Sequence, residues 1–195
     1  MITRLTTALL AATVVATPAL AQRVPAAQVA VVDLARVGRE CTACKSAGTA
    51  LQSQVTAFNN RRTQLNTQLQ PERQALQAAV TALNGKQPDA ALTQRIQAFQ
   101  QKEVTAAQEL ERQQTQIQRN QAYISQQINT KLAPLLQPAM DKRGANILLD
   151  SDAALRFAPT VDVTNDVLAA LNAVLTSVST TAPAQPAQQQ NPQGR

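Results

Sequence analysis

A seven-residue apolar repeat runs through two long stretches of this chain and breaks once between them. No other feature constrains the fold as strongly. With Val55 as position a, the first stretch has Val55, Arg62, Leu69, Leu76 and Leu83 at a and Leu51, Phe58, Leu65, Glu72 and Ala79 at d. The second has Ile96, Glu103, Leu110, Ile117 and Ile124 at a, with Leu92, Phe99, Ala106, Gln113 and Asn120 at d. Its stripe then drifts to Ile128, Leu132 and Leu135. A repeat near 3.5 residues places such a series on one helix face, which must be covered by a partner helix. The break is Asn84-Gly85-Lys86-Gln87-Pro88-Asp89. Glycine suits the position just past a helix, proline blocks continuation, and Asp89 suits the start of the next helix. Two antiparallel helices joined by this tip make an αα-hairpin with arms of roughly 55–65 Å. The polar residues Arg62, Glu72, Glu103, Gln113 and Asn120 predict a loose seam. Pro71 lies inside the first arm and predicts a kink.

Composition agrees with long helices and excludes several enzyme classes. Aromatic residues make up 2% of the 195 residues, too few to anchor an ordinary large core, while hydrophobic residues still make up 44%. There is no histidine. That excludes Ser-His and Cys-His nucleophile systems and histidine metal sites. Five glycines, none clustered, leave no phosphate-cradling loop. No catalytic, cofactor-binding or metal-binding residue is assigned.

The ends of the chain have different characters. Arg4, the apolar run Leu5 to Val15 and the small residues of Ala19-Leu20-Ala21 have the form of a signal peptide, residues 1–21, cleaved after Ala21. The mature protein is then exported and soluble. Val29-Ala30-Val31-Val32-Asp33-Leu34 reads as a strand, and Ala35 to Cys44 as a short helix or turn. After the hairpin, Pro134 and Pro138 bracket the end of the helical pattern. Asn146 to Asp150 and Ala154 to Ala158 read as second and third strands. Thr164 is the expected N-cap of a last amphipathic helix, with Asp166 near its start. From Thr176 the chain is rich in Ser, Thr, Ala, Pro and Gln and is expected to be disordered to residue 195.

The expected architecture is mainly α with a small β body. A long coiled-coil-like αα-hairpin arm, residues 45–131, projects from a split β-rich body, residues 22–44 and 132–175. Each protomer contributes three strands to oligomerisation. A body of about 65 residues without aromatic anchors is marginal alone. Its short strands leave open edges. The sequence therefore calls for an oligomer.

The strand ending Val31-Val32-Asp33, the Gln-rich arms, and the run from Ile147 to Pro159 followed by Val161 to Leu168 resemble the Skp/OmpH family of periplasmic chaperones. The C-terminal run is the specific part, and the similarity spans residues 29–175. The resemblance implies a homotrimer with three helical hairpins around a cavity. It also implies ATP-independent holding of unfolded outer-membrane proteins in a Gram-negative periplasm. The Cys41-Thr42-Ala43-Cys44 pair, the sparse arm charge and the Pro/Gln tail depart from the family pattern.

Two features carry candidate chemistry. Cys41 and Cys44 are either a redox dithiol or a local disulfide at the arm base. A zinc site would need further ligands pooled between protomers. The arms carry ten basic residues, from Lys45 to Lys131, against Glu72, Asp89, Glu103, Glu109 and Glu111, a net charge of +5. Such arms steer acidic chains, anionic lipid or lipopolysaccharide toward themselves. The candidate client-binding residues are Arg61, Arg62, Arg73, Lys86, Arg95 and Lys102. Val55, Phe58, Phe99 and Val104 are candidate apolar contacts, with the hairpin seam the stronger reading for the two phenylalanines. The export signal and the lack of stacking aromatics argue against nucleic acid. A non-chaperone coiled-coil scaffold of the envelope is the rival reading, and a thiol oxidoreductase is a third.

Overall fold

The computed structural model describes residues 25–184. Strand β1 is Val29–Val32, helix α1 Leu34–Glu40, helix α2 Thr42–Ala82, helix α3 Ala90–Lys142, strand β2 Ile147–Asp150 and helix α4 Thr164–Val174. The expected signal peptide lies outside the described residues.

Helices α2 and α3 form the hairpin. At 1.5 Å per residue, the 41 residues of α2 span about 60 Å. The tip turns through Asn84 and Gly85, both at positive φ (49° and 85°). A left-handed backbone here reverses the chain, and Gly85 adopts it without a Cβ clash. Asp89 caps α3 as expected, its carboxylate accepting from the Leu92 N–H at 2.7 Å. Every a and d residue of both stretches is buried or half-buried except Arg62.

Pro71, Pro134 and Pro138 all lie inside helices, and all three are exposed. The helical pattern does not end at Pro134 and Pro138, because α3 continues to Lys142. A proline inside a helix costs about 3 kcal/mol. On the opposite side of these turns, Leu132, Leu135, Leu136 and Ala139 pack against the body, and that burial holds the helix together.

The body pairs β1 with β2 in parallel, Val29 opposite Ile147 and Val32 opposite Asp150. The whole hairpin is the crossover between them. The Val163 N–H adds a bond to the Val31 carbonyl at 2.8 Å, beside a single bridge between Val31 and Asp162. The sheet thus has two strands and not three. Ala154 to Ala158 is not a strand. Asp150 accepts from the Asp152 N–H and turns the chain off the sheet into a short 3-10 turn, and Pro159 opens a second. Between the turns Leu155 is fully exposed.

The core gathers Ala30 and Val32 of β1, Val37 of α1, Cys41, Cys44, Leu132, Val163, and Val167 and Leu171 of α4. Thr164 is the first residue of α4 and not its cap. Its buried hydroxyl accepts from the Asp33 N–H at 2.9 Å, while its own N–H donates to Asp162 at 2.8 Å. The threonine therefore joins the end of β1 to the start of α4.

The chain after α4 also differs from expectation. Residues 176–184 lie along the arm base without helix or strand and bend at Thr181, with Val178 against the core and Ala182 buried. Disorder was expected because the segment has no apolar periodicity of its own. Its partners are side-chain amides of the arm, which no local pattern reveals. The expectation for residues 185–195 lies outside the described residues.

Candidate functional site

The arm surface carries the candidate site, and its charges fall into two groups. Three of the six proposed cations are bound across the hairpin. Arg61 forms a two-point contact with Glu109, at 2.7 and 3.0 Å. Lys102 reaches Glu72 at 2.7 Å, and Arg73 reaches Glu103 at 2.7 Å. Arg73 also lies over the Phe99 ring, 5.8 Å from its centroid. The hydrogen bonds from Arg61 hold the Glu109 carboxyl below its ordinary range, and Glu109 in turn raises the Arg61 guanidinium. These pairs are part-exposed, and exposed pairs are typically worth less than about 1 kcal/mol each. Their positions fix the register of one helix against the other.

Arg62, Lys86 and Arg95 are exposed and form no ion pair among the described residues. Arg62 sits one residue beyond Arg61, so when Arg61 faces α3 its neighbour points away. Heptad counting assigned Arg62 to the seam, and the structure gives that contact to Arg61. The arm's net charge is unchanged by internal pairing, but its outward part is concentrated on fewer residues.

The seam is also better satisfied than its polar positions suggest. Asn120 is 4% exposed, yet its amide donates to Gln54 at 2.7 Å and accepts from Gln116 at 2.7 Å. Phe99 packs with Leu76 and Leu92 near the tip, which settles it as a seam residue. Phe58 is half-buried, and Val104 is 47% exposed and points outward.

At the arm base Cys41 and Cys44 form a disulfide, with Cα atoms 5.1 Å apart. Cys41 is the N-cap of α2 and is fully buried, with Cys44 beside it in the body core. Such a bridge closes a very short loop, so it removes little chain entropy. A Cys41→Ser, Cys44→Ser double variant should keep the native chain's mass in solution and whatever capacity that chain has to suppress aggregation. Light scattering of a diluted unfolded barrel protein checks this, and a folded variant without activity would contradict it.

An ionic clasp ties arm to body. Asp166, in the first turn of α4, accepts from Lys142 at 2.8 Å and from Arg143 at 2.8 Å, both at the end of α3. The hydrogen bonds from Lys142 and then Arg143 lower the Asp166 carboxyl. Sequence alone places Asp166 near a helix N-terminus, where a carboxylate is favourable. Its cationic partners are close in sequence, but only the turn at Gly144 brings them onto it.

An antiparallel hairpin arm rising from a small two-stranded body defines a class of helical-arm proteins. A family-model match to OmpH, described as outer membrane protein (OmpH-like), spans residues 28–171. The chain belongs to this OmpH-like family. Among solved structures it is similar to a putative OmpH-like outer membrane chaperone from Caulobacter crescentus CB15. The two share 20% identity and a TM-score of 0.64, over 80% of this chain and 90% of that one. At that identity the likeness shows the shared fold. None of the curated proteins matches the chain. Among the described residues no helix is long and apolar enough to cross a membrane.

Proposed function

We propose that the protein is an ATP-independent holdase of the periplasm, exported by a signal peptide cleaved after Ala21, that keeps unfolded outer-membrane proteins from aggregating between its arms. The observation that carries this reading is the hairpin itself. It spans tens of ångströms, and Arg62, Lys86 and Arg95 are among its exposed cations that form no ion pair within the described residues. Unfolded barrel proteins expose alternating apolar strands that aggregate. Many weak contacts from long arms enclose such a chain through avidity without imposing one geometry. The same cations suit anionic lipid or lipopolysaccharide headgroups.

The working unit is a homotrimer in this reading. Val29, Ile147 and Leu149 stand 37–39% exposed on neighbouring strands, Phe157 is 40% exposed, and Leu155 is uncovered. The outer edge of β2 has no strand beside it among the described residues. Covering this apolar face and pairing this edge with a second protomer satisfies both.

Diluting an unfolded barrel protein out of urea tests the proposal. The mature chain should suppress light scattering in the absence of nucleotide. If scattering is unchanged at a molar excess of trimer, the envelope-scaffold reading takes its place. The charge contribution is read separately. Neutralising Arg62, Lys86 and Arg95 to Gln should slow capture of an acidic unfolded chain several-fold at low salt. Added salt should produce the same loss, since the Debye length is about 8 Å at physiological ionic strength. Neutralising Arg61 or Lys102 should weaken hairpin register more than capture. An association rate that is flat with salt and unchanged by the triple substitution would remove charge steering.

A further inference from the structure

The segment after α4 makes its hydrogen bonds to the arm through its backbone. Gln127 of α3 makes a two-point contact with Ser179, its Oε1 accepting the Ser179 N–H at 3.0 Å and its Nε2 donating to the Ser179 carbonyl at 2.9 Å. Gln54 of α2 donates to the Thr180 carbonyl at 3.1 Å. The Ala182 N–H donates to Asn120 at 2.8 Å, and Arg119 donates to the Pro183 carbonyl. None of these contacts uses a side chain of the segment. Val178, Thr180 and Ala182 turn inward while Ser177, Ser179, Thr181 and Pro183 are exposed. That is the period-2 alternation of a strand.

The spacing has a physical reason. Gln127 and Asn120 are seven residues apart on α3, so their rungs stand about 10.5 Å apart. Ser179 and Ala182, three residues apart with a bend at Thr181 between them, each place a backbone N–H on one rung. Gln113 continues the same heptad position toward the tip. It lines an open groove of about 590 Å³ with Ala57, Phe58 and Ile117, where its Nε2 donates to Glu109 at 3.1 Å and Thr181 is the segment's one lining residue. The polar d positions, which weaken a coiled coil, thus form an evenly spaced row of amides beside an apolar floor.

We propose that this row is a track that reads the backbone of extended polypeptide. The protein's own residues 178–183 fill it at rest, and strand-forming segments of an unfolded outer-membrane protein displace them. The client half of the proposal rests on the holdase reading. Backbone recognition fits such clients because their sequences differ while their extended geometry and alternation do not. The inward positions take small or β-branched side chains, as Val178, Thr180 and Ala182 do.

The test uses the full mature chain. Ser179→Pro with Ala182→Pro removes both N–H donors and releases the segment. Ala182→Arg is a second release variant, which places a long charged side chain at a buried site. The probe is a fluorescent nine-residue peptide with the sequence of residues 176–184, followed by anisotropy. A short tether gives the native segment an effective concentration in the millimolar range. The released variants should therefore bind the peptide at least about tenfold more tightly than the native chain. Gln127→Ala in the released background should remove most of that gain, and an unfolded barrel protein should displace the peptide. Equal binding to native and released chains, no detectable binding, or binding indifferent to Gln127→Ala would overturn the track. A barrel protein held without displacing the peptide would overturn it while leaving the holdase reading intact. Displacement of the peptide without suppression of aggregation would uphold the track and remove the holdase reading.

Discussion

Changing Ile147 and Leu149 to Asp should dissociate the proposed trimer into folded monomers and abolish most of its capacity to suppress aggregation. Both side chains are already 38–39% exposed in the single chain, so a charge there costs the protomer little. In an assembly the same positions would be covered. An unpaired carboxylate in an apolar contact is strongly disfavoured. The two carboxylates would also repeat around a threefold axis, adding like-charge repulsion. Light scattering should show the mass of one chain at micromolar concentration, with the helical circular dichroism retained. A variant that keeps its oligomeric mass would place the contact elsewhere than on the exposed side chains of β2. A variant that is monomeric but still holds clients would show that a single hairpin suffices.

Leu171→Ala should destabilise the body by about 2–5 kcal/mol, the range for removing a fully buried leucine. Leu171 is wholly buried, as are Val37, Val163 and Val167 in the same cluster. Whole domains commonly have only about 5–15 kcal/mol to lose, and the buried cluster of this body contains no aromatic side chain. The urea midpoint should fall sharply, and body amides should lose protection from hydrogen exchange. Amides of the hairpin near Leu76, Leu92 and Phe99 should respond less, because those residues form a separate cluster. Val104→Ala, on the exposed side of the arm, should stay within about 0.5 kcal/mol of the native protein. Equal loss of protection at tip and body would show that the two unfold as one unit.

The hairpin was legible because its information is local and periodic. Leu65, Leu76, Leu92 and Phe99 declare their burial by spacing, and Asp89 declares its cap by type and position. The body was less legible. Its strands are four residues long and its third expected strand failed, because Leu155 and Phe157 have strand-forming side chains but no ladder partner within the chain. Thr164 looked like a helix cap by the usual rule, and a partner 131 residues away claimed its hydroxyl instead. At the candidate site, net arm charge could be counted from sequence. Which cations are spent inside could not, because Arg61 and Arg62 are indistinguishable until the helix phase is known. The order of residues 176–184 is illegible for a related reason. The segment's composition describes what it can do alone, and its contacts belong to Gln54, Asn120 and Gln127.

The parallel pairing of β1 with β2 has a consequence for how the chain acquires its structure. Gln28 meets Asn146 across a sequence separation of 118 residues. Closing so long a loop in one step is entropically slow, and distant pairings of this kind retard folding. The hairpin offers a shorter route. Its turn is local, and once its helices zip together they carry residues 42 and 142 back to the same end. The remaining closure is then only a few residues long. On a chain emerging from its N-terminus, β1 waits unpaired until the whole arm has appeared. The sequence of events runs from tip to base, with the last helix sealing the structure. A lesion at the Asn84-Gly85 turn should therefore slow assembly of the distant sheet while barely changing its final stability.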